Sequence, residues 1–233
     1  MAQTQHTPKP NSWKGFHRLF SLGALRPHTQ SILPYLDRPN GSFVEIGARD
    51  GGKNSLTPYL EKSLKWEGLL VEPWPHLFQK CRKKRKSATV NVAATERSLE
   101  DSYLEIIGRP PSASVRRELS KLANQNPDAP IQPPAQRGKQ VYYINTDSID
   151  RILKRSSFAS DFELLALNLL GYENAALEGI DFSVYKPTFI LVRVSAFTKV
   201  LPNLPLAYER VCTSPHDQRT SLVLFRYADF GPN

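Results

Sequence analysis

The sequence has few cysteines and no long hydrophobic run. Only two cysteines, Cys81 and Cys212, occur in 233 residues. Two thiols are too few for a disulfide framework or a cysteine metal cluster, so we expect both to be reduced structural residues. No stretch approaches the roughly 18 apolar residues that a membrane span requires. The polar residues 1–10 lack the apolar core of a secretion signal, and together these absences predict a cytoplasmic protein.

Acidic residues are in deficit. The chain has 22 Asp and Glu against 31 Lys and Arg, for a net charge of +9. A basic protein of this kind favours anionic partners such as phosphorylated substrates, nucleic acid or an acidic membrane surface. The densest basic run, 80–86, follows a helical pattern and complements the dipole at a helix end. We interpret it as a solvated helix end, with a phosphate-binding or nuclear-import patch as the alternative.

The N-terminal part of the chain separates from the rest by pattern. We expect residues 1–11 to be disordered and residues 12–40 to form a helical segment. Trp13, Phe16 and Phe20 recur there at helical spacing. Such a helix either packs over the following domain or lies on an acidic membrane surface.

Residues 41–230 alternate between strand and helix patterns, which predicts one α/β domain with a mostly parallel sheet and an antiparallel C-terminal hairpin. Six prolines interrupt the pattern at 108–139, a segment typical of a lid, a binding loop or disorder. The predicted strands are 42–46, 68–71, 88–93, 141–145, 162–170, 189–194, 208–213 and 221–227. The predicted helices are 55–64, 75–84, 148–154 and 173–179.

Two predicted strands end in acidic residues and glycine. Residues 42–51, SFVEIGARDG, form a strand running into a glycine turn, with carboxylates at Glu45 and Asp50. Residues 68–73, GLLVEP, end on Glu72. In α/β folds such glycines admit a ligand to the backbone, and the acid accepts hydrogen bonds from ribose hydroxyls. Because the full G-x-G-x-x-G is absent, an adenosyl ligand smaller than a dinucleotide is favoured, and S-adenosylmethionine fits best.

These motifs resemble the FkbM-type methyltransferases and the Star-like proteins of the same superfamily. The resemblance implies a Rossmann-like class I methyltransferase fold, with a seven-stranded sheet and helices on both faces. It further implies S-adenosylmethionine as the cofactor and methylation of a hydroxyl, often on a sugar or a polyketide. The matching segments are 43–51, 55–57, 60–61, 66–73, 91–94, 146–150, 171–173 and 177–182.

The resemblance also implies a set of cofactor contacts. Glu72 would hold the ribose hydroxyls, and Pro73 would shape the adenine side. Alternatively, Glu45 is an ordinary edge carboxylate, and Ser55 or Thr57 is only a helix N-cap. The whole set, carried over by position, is Glu45, Gly47, Asp50, Gly51, Ser55, Thr57, Glu72 and Pro73.

The sequence departs from the family on the presumed acceptor side. Where the family usually has Asp-Val-Glu-Gly, this chain has Asn168 and Leu170 in place of the two acids. Where the family usually has Val-Glu, it has Arg193. A hydroxyl acceptor must lose a proton, and an asparagine cannot accept one at neutral pH. The catalytic residues are therefore unassigned, with Asn168 and Glu173 as the candidates, and we predict no metal site.

Two functions follow from this pattern. The first is an S-adenosylmethionine-dependent O-methyltransferase that acts on a sugar, glycan or other small metabolite. Its acceptor could be anionic, and the proline-rich segment would form part of the acceptor site. The second is a catalytically degenerate relative that serves as a binding or trafficking module. We do not expect a nucleic-acid substrate, because no stacked-aromatic platform is evident. The basic charge is also compatible with peripheral contact to a membrane surface, and the sequence does not predict the oligomeric state.

Overall fold

The computed structural model describes residues 23–28, 30–108, 140–169, 171–195 and 201–228. Several predictions lie outside the described residues. They concern the N-terminal tail at 1–11, the aromatic helix pattern of Trp13 to Phe20, nearly all of the proline-rich segment, and Leu170.

The described chain alternates between short strands and helices. Its α-helices are α1 Leu33–Leu36, α2 Pro58–Leu64, α3 Pro75–Lys84, α4 Ile149–Arg155 and α5 Glu173–Leu177, with 3₁₀ helices at Gly23–His28 and Arg97–Leu99. Its strands are β1 Ser42–Ile46, β2 Glu67–Val71, β3 Ala88–Val90, β4 Ala93–Ala94, β5 Tyr103–Gly108, β6 Gln140–Asp147, β7 Leu164–Leu167, β8 Phe189–Ser195, β9 Tyr208–Pro215 and β10 Thr220–Tyr227.

Seven strands form the main sheet in the order β3-β2-β1-β7-β8-β10-β9. The first five are parallel, whereas β10 runs antiparallel to both β8 and β9. This confirms the predicted parallel sheet with an antiparallel C-terminal hairpin. The strand order reverses beside β1, so the carboxyl ends of β1, β2, β7 and β8 meet at one edge. We call this the carboxyl edge.

The sheet is covered by helices on both faces, as predicted. Side chains of β1 alternate between two cores, with Phe43 on the α1–α2 face and Val44 and Ile46 on the α4–α5 face. All three are at most 1% exposed. Burial on both faces explains why the strand carries apolar residues on both sides, with Glu45 as the buried exception.

Some predicted boundaries are wrong for local reasons. The predicted strand 88–93 splits into β3 and β4, because Asn91 turns the chain by donating to the carbonyls of Glu72 and Pro73. The predicted strand 162–170 shortens to β7. The predicted helix at 55–64 begins only at Pro58, since the residues before it turn inward. A second sheet, β4-β6-β5, forms beside the main one, and its β5 was not predicted.

Both cysteines are free thiols, buried in α3 for Cys81 and half-buried in β9 for Cys212. Among the described helices, none has the length and apolar character to cross a bilayer.

The described part of the 12–40 segment is tied to the C-terminal hairpin through His28. Its Nδ1 lies 2.8 Å from Ser214 Oγ, and its Nε2 lies 2.8 Å from His216 Nδ1. His28 is fully buried. Burial, together with the charges of His216 and Arg193, lowers the pKa of His28 from 6.5 to about 4.

We predict an acid-sensitive stability from this contact. Between pH 6.5 and pH 4, His28 is protonated in the unfolded chain but neutral in the folded protein. The free energy of unfolding should therefore fall on acidification across this window, by up to about 1.4 kcal/mol per pH unit. In urea titrations His28→Gln should flatten this slope. A smaller pH dependence should remain because burial also lowers the pKa of His216. Equal slopes in the two proteins would contradict the assignment.

Candidate functional site

The loop after β1 lies at the carboxyl edge and depends on two glycines. Gly47 has φ +84° and Gly51 has φ +67°, conformations that side chains rarely adopt. A Cβ on Gly47 would lie 2.5 Å from the Asn168 carbonyl oxygen, and one on Gly51 would lie 2.8 Å from Cys81 Sγ. The glycines therefore let the loop press against β7 and α3.

Glu45 lies beneath this loop with both carboxylate oxygens occupied. Its Oε2 accepts hydrogen bonds from Ser55 Oγ at 2.7 Å and Thr57 Oγ1 at 2.6 Å. Its Oε1 accepts from the Leu56 backbone N–H at 2.7 Å. Glu45, Ser55 and Thr57 are all fully buried. These three predicted cofactor contacts thus lie together and bind one another.

Arg85 completes this buried cluster, and no pattern in the sequence indicated it. Its guanidinium donates to Ser55 Oγ at 2.9 Å and Thr57 Oγ1 at 3.0 Å, and its Nη1 lies 4.0 Å from Glu45 Oε2. Its Nε lies 3.1 Å from Glu61 Oε1. Arg85 belongs to the basic run 80–86, whose other cations are exposed as expected of a solvated helix end. One member of that run instead holds the start of α2.

Glu72 lies at the end of β2 and caps the backbone of both adjoining loops. Its Oε2 accepts from the Arg49 N–H at 2.6 Å, and its Oε1 accepts from the Trp74 N–H at 3.0 Å. Burial raises the pKa of Glu72 to about 7, against the lowering effect of these two N–H groups. Each oxygen keeps a lone pair for a further donor. Glu72 is only 1% exposed, so a ligand would reach it only if the groups that cover it shifted.

Asp50 and Pro73 lie nearer the surface. The Asp50 carboxylate pairs with Lys84 on α3 and accepts from the Gly52 N–H at 3.3 Å. Pro73 is half-buried, and its carbonyl oxygen accepts from Asn91 Nδ2 at 2.9 Å. Asp50 therefore braces the loop against α3. The three acids Glu45, Asp50 and Glu72 share one end of the sheet, but they do not line one open cleft in this structure.

Asn168 joins β7 to the glycine loop. Its Nδ2 donates to the carbonyls of Gly47 at 3.1 Å and Asn54 at 3.0 Å, and the side chain is buried. Its Oδ1 is buried without a hydrogen-bond partner among the described residues. The amide therefore holds the loop by donating to two carbonyl oxygens. A carboxylate at this position, as the family pattern has, would be repelled by the same two oxygens.

The remaining residues that the family pattern predicts on the acceptor side are Glu173 and Arg193. One oxygen of Glu173 accepts from the Gly171 N–H at 2.8 Å, whereas the other is buried with no partner in the described part of the chain. Glu173 lines a cavity of about 200 Å³ beside the end of β8. Arg193 pairs instead with the hairpin, its Nη2 lying 3.3 Å from Asp217 Oδ2.

A larger cavity, about 540 Å³, lies at the opposite edge of the sheet, by the amino end of β2. Helices α2 and α3 both end there, so its lysines complement two helix dipoles. Those lysines are Lys62, Lys65, Lys84 and Lys86. Within the described residues, no group of three or more His, Cys, Asp or Glu side chains could hold a metal ion.

The strand order, the glycine loop after β1 and the acid after β2 are those of Rossmann-like methyltransferases. The family model described as "Methyltransferase FkbM domain" matches residues 45–208. The chain therefore belongs to the FkbM methyltransferase family. No curated protein matches the chain in sequence.

Solved structures with a similar chain path include methyltransferases of low sequence identity. The putative methyltransferase yhhF from Escherichia coli has a TM-score of 0.46 and 10% identity, covering 88% of this chain and 83% of its own. A chain of a fibrillarin/Nop5p complex has a TM-score of 0.48 and 10% identity over the same shares. The PH0226 protein from Pyrococcus horikoshii has a TM-score of 0.42 and 9% identity over 93% of this chain and 100% of that one. Similarities this low carry no information about activity.

Asn168→Asp should destabilise the protein even though it restores the family's acid. A carboxylate at this position would face the carbonyl oxygens of Gly47 and Asn54, costing about 1–3 kcal/mol in the free energy of unfolding. Protonation would relieve the contact, so the loss should be larger at pH 8 than at pH 5. Urea titration measures it, and Asn145→Asp on an exposed site is the matched control. A stability equal to that of the wild type at pH 8 would refute this role of Asn168.

Proposed function

We propose that the protein is an S-adenosylmethionine-dependent O-methyltransferase acting on a hydroxyl of a sugar, glycan or other small metabolite. Membership of the FkbM family and the sheet order support the class of reaction. The observation that carries the cofactor assignment is Glu72, an acid with a raised pKa at the end of the strand beside β1. An acid in this place is suited to ribose hydroxyls.

The proposed cofactor residues divide into two groups by their contacts. Glu45, Ser55 and Thr57 would act indirectly, by fixing the path of the loop between β1 and α2. The second group would contact the cofactor directly. It comprises the glycine loop at Gly47, Asp50 and Gly51, the carboxylate of Glu72, and Pro73. S-adenosylmethionine, when bound, supplies a methyl group already activated by its sulfonium. The protein would therefore contribute mainly position, which can supply much of a rate enhancement.

Glu173 is the described acceptor-side carboxylate that we propose for proton transfer. Glu173 lines the cavity beside the end of β8, and one of its carboxylate oxygens has no hydrogen-bond partner among the described residues. A carboxylate of that kind can accept the proton of an acceptor hydroxyl. Asn168 would be a positioning residue, because its amide is engaged in holding the glycine loop.

The alternative function is a catalytically degenerate binding or trafficking module. Two observations favour it. The family's acid at 168 is replaced by an amide with a structural role, and the acid at 193 is replaced by a cation paired with Asp217. A module of this kind would bind the adenosyl ligand without transferring its methyl group.

Glu72→Ala should weaken binding of S-adenosylmethionine in isothermal titration calorimetry. Loss of a charged acceptor for ribose hydroxyls, and of the contacts to Arg49 and Trp74, should reduce affinity about tenfold or more. Glu67→Ala, at the exposed opposite end of the same strand, should bind as the wild type does. Equal affinity of Glu72→Ala and the wild type for S-adenosylmethionine would contradict the assignment of Glu72 to the ribose. Absence of binding by the wild type would contradict the proposed enzymatic function.

Methyl transfer separates the two functions. With methyl-labelled S-adenosylmethionine and a panel of sugars and sugar phosphates, we expect the wild type to label a hydroxyl-bearing acceptor. Glu173→Gln should lower kcat by about a hundredfold or more, the contribution of a general base. Glu178→Gln, exposed just after the same helix, should leave kcat unchanged. Binding without transfer to any acceptor would instead support the binding module.

A further inference from the structure

The segment after β2 has a single backbone donor between Glu72 and His76. Proline flanks Trp74 on both sides, and a proline carries no N–H. The Trp74 N–H is that donor, and it donates to Glu72 Oε1 at 3.0 Å. A residue before a proline is restricted to extended backbone, and Trp74 has φ −71° and ψ 114°. Any contact that holds Trp74 therefore also holds one oxygen of the proposed ribose acceptor.

The indole of Trp74 packs on the second sheet. Its ring centroid lies 5.6 Å from that of Tyr142 on β6, and the two ring planes meet at 71°. Tyr142 is 2% exposed and forms a small third core with Ala93 and Ile144, against which Trp74 packs. Edge-to-face aromatic pairs of this geometry contribute free energy beyond their burial. The position of Trp74 is therefore set by a residue of β6.

The carbonyl side of the same segment is held next to β4. Asn91 precedes this strand by two residues, and its Nδ2 donates to the carbonyls of Glu72 at 2.7 Å and Pro73 at 2.9 Å. Strands β4 and β6 pair in parallel, with Ala93 opposite Thr146. Two neighbouring strands of the second sheet therefore hold the backbone that carries the proposed ribose acceptor.

The Trp74 N–H fixes the direction of the Glu72 carboxylate. The other oxygen, Oε2, accepts from the Arg49 N–H, which belongs to the glycine loop. With one donor on each oxygen the carboxylate keeps one orientation, and each oxygen retains a lone pair for a ligand. The two donors also oppose protonation of this carboxylate, whose pKa burial raises to about 7. Loss of the Trp74 N–H would leave Glu72 less fixed and more protonated, and so a poorer acceptor for a hydroxyl.

We propose that Tyr142 is a positioning residue of the adenosyl site, which acts through the indole of Trp74 to keep the Trp74 N–H on Glu72. This inference rests on the proposed function, because it assumes that Glu72 accepts hydrogen bonds from the ribose. In this account Tyr142 does not contact the ligand, and Trp74 carries its effect to the carboxylate. The second sheet thereby supports cofactor binding from outside the main sheet.

Calorimetric titration of the full chain with S-adenosylmethionine, together with NMR measurement of amide hydrogen exchange at Trp74 in the unliganded protein, tests the proposal. Tyr142→Leu keeps a buried apolar side chain but removes the ring. It should weaken binding about threefold to tenfold, as expected for loss of an aromatic pair, and should speed exchange of the Trp74 amide by a similar factor. Tyr142→Phe keeps the ring and should restore the wild-type values. Where Tyr142→Leu does not fold, Tyr142→Met takes its place, because a flexible side chain fills the same space.

Two further variants separate positioning from a general loss of stability. Phe162→Leu breaks a comparable edge-to-face pair, with Phe158 at 6.0 Å, in the α4–α5 core at the amino end of β7. It should leave the affinity and the Trp74 exchange unchanged. Trp74→Leu should itself weaken binding, and in that background Tyr142→Leu should have little further effect, because the pair is already broken.

The outcomes distinguish this inference from the proposed function. Where the wild type binds, unchanged affinity or unchanged Trp74 exchange in Tyr142→Leu would overturn the role of Tyr142 and leave the proposed function standing. An equal loss of affinity in Phe162→Leu, or additive effects of Tyr142→Leu and Trp74→Leu, would overturn that role in the same way. Failure of the folded wild type to bind S-adenosylmethionine would overturn the role of Tyr142 and the proposed function together. The thermal unfolding midpoint of each variant checks that it is folded.

Discussion

The buried cluster of Glu45 and Arg85 is the contact on which the rest of the site depends. Both side chains are fully buried, and Ser55 and Thr57 bridge them by accepting from the arginine and donating to the carboxylate. A buried charge is tolerated only when it is paired and hydrogen-bonded, so the cluster stabilises one arrangement of β1, α2 and α3. The glycine loop spans that arrangement. Its position at the carboxyl edge is therefore a consequence of charges buried below it.

The sequence predicted the main sheet because its strands carry strong local patterns. Runs such as 42–46 and 189–194 are mostly apolar on both faces, apart from Glu45 and Arg193, and glycine or proline lies near their ends. The second sheet was missed because β4 has two residues and β5 leads into the proline-rich segment. The start of α2 was misplaced because Ser55 and Thr57 look like N-caps in sequence, whereas their hydroxyls turn toward Glu45. Local propensity cannot indicate a tertiary partner of this kind.

The candidate site was predictable in place but not in detail. Spacing along the chain located Glu45, Asp50 and Glu72 at one end of the sheet, since the ends of neighbouring parallel strands must meet. Spacing could not show that Arg85 would pair with Glu45, because a single buried cation in a run of exposed ones has no sequence signature. The departure from the family pattern at 168 was visible in sequence. Its physical meaning, an amide that holds two carbonyls of the loop, required the contacts.

The central claim is that the glycine loop and Glu72 together form an adenosyl site at the carboxyl edge. Amide hydrogen exchange with and without saturating S-adenosylhomocysteine tests it most directly. The account predicts slower exchange confined to peptides covering 47–57 and 72–76, because a ligand would rest on these backbones and fix them. Unchanged exchange in both segments, or slowing confined to the lysine-lined cavity at the opposite edge, would contradict it.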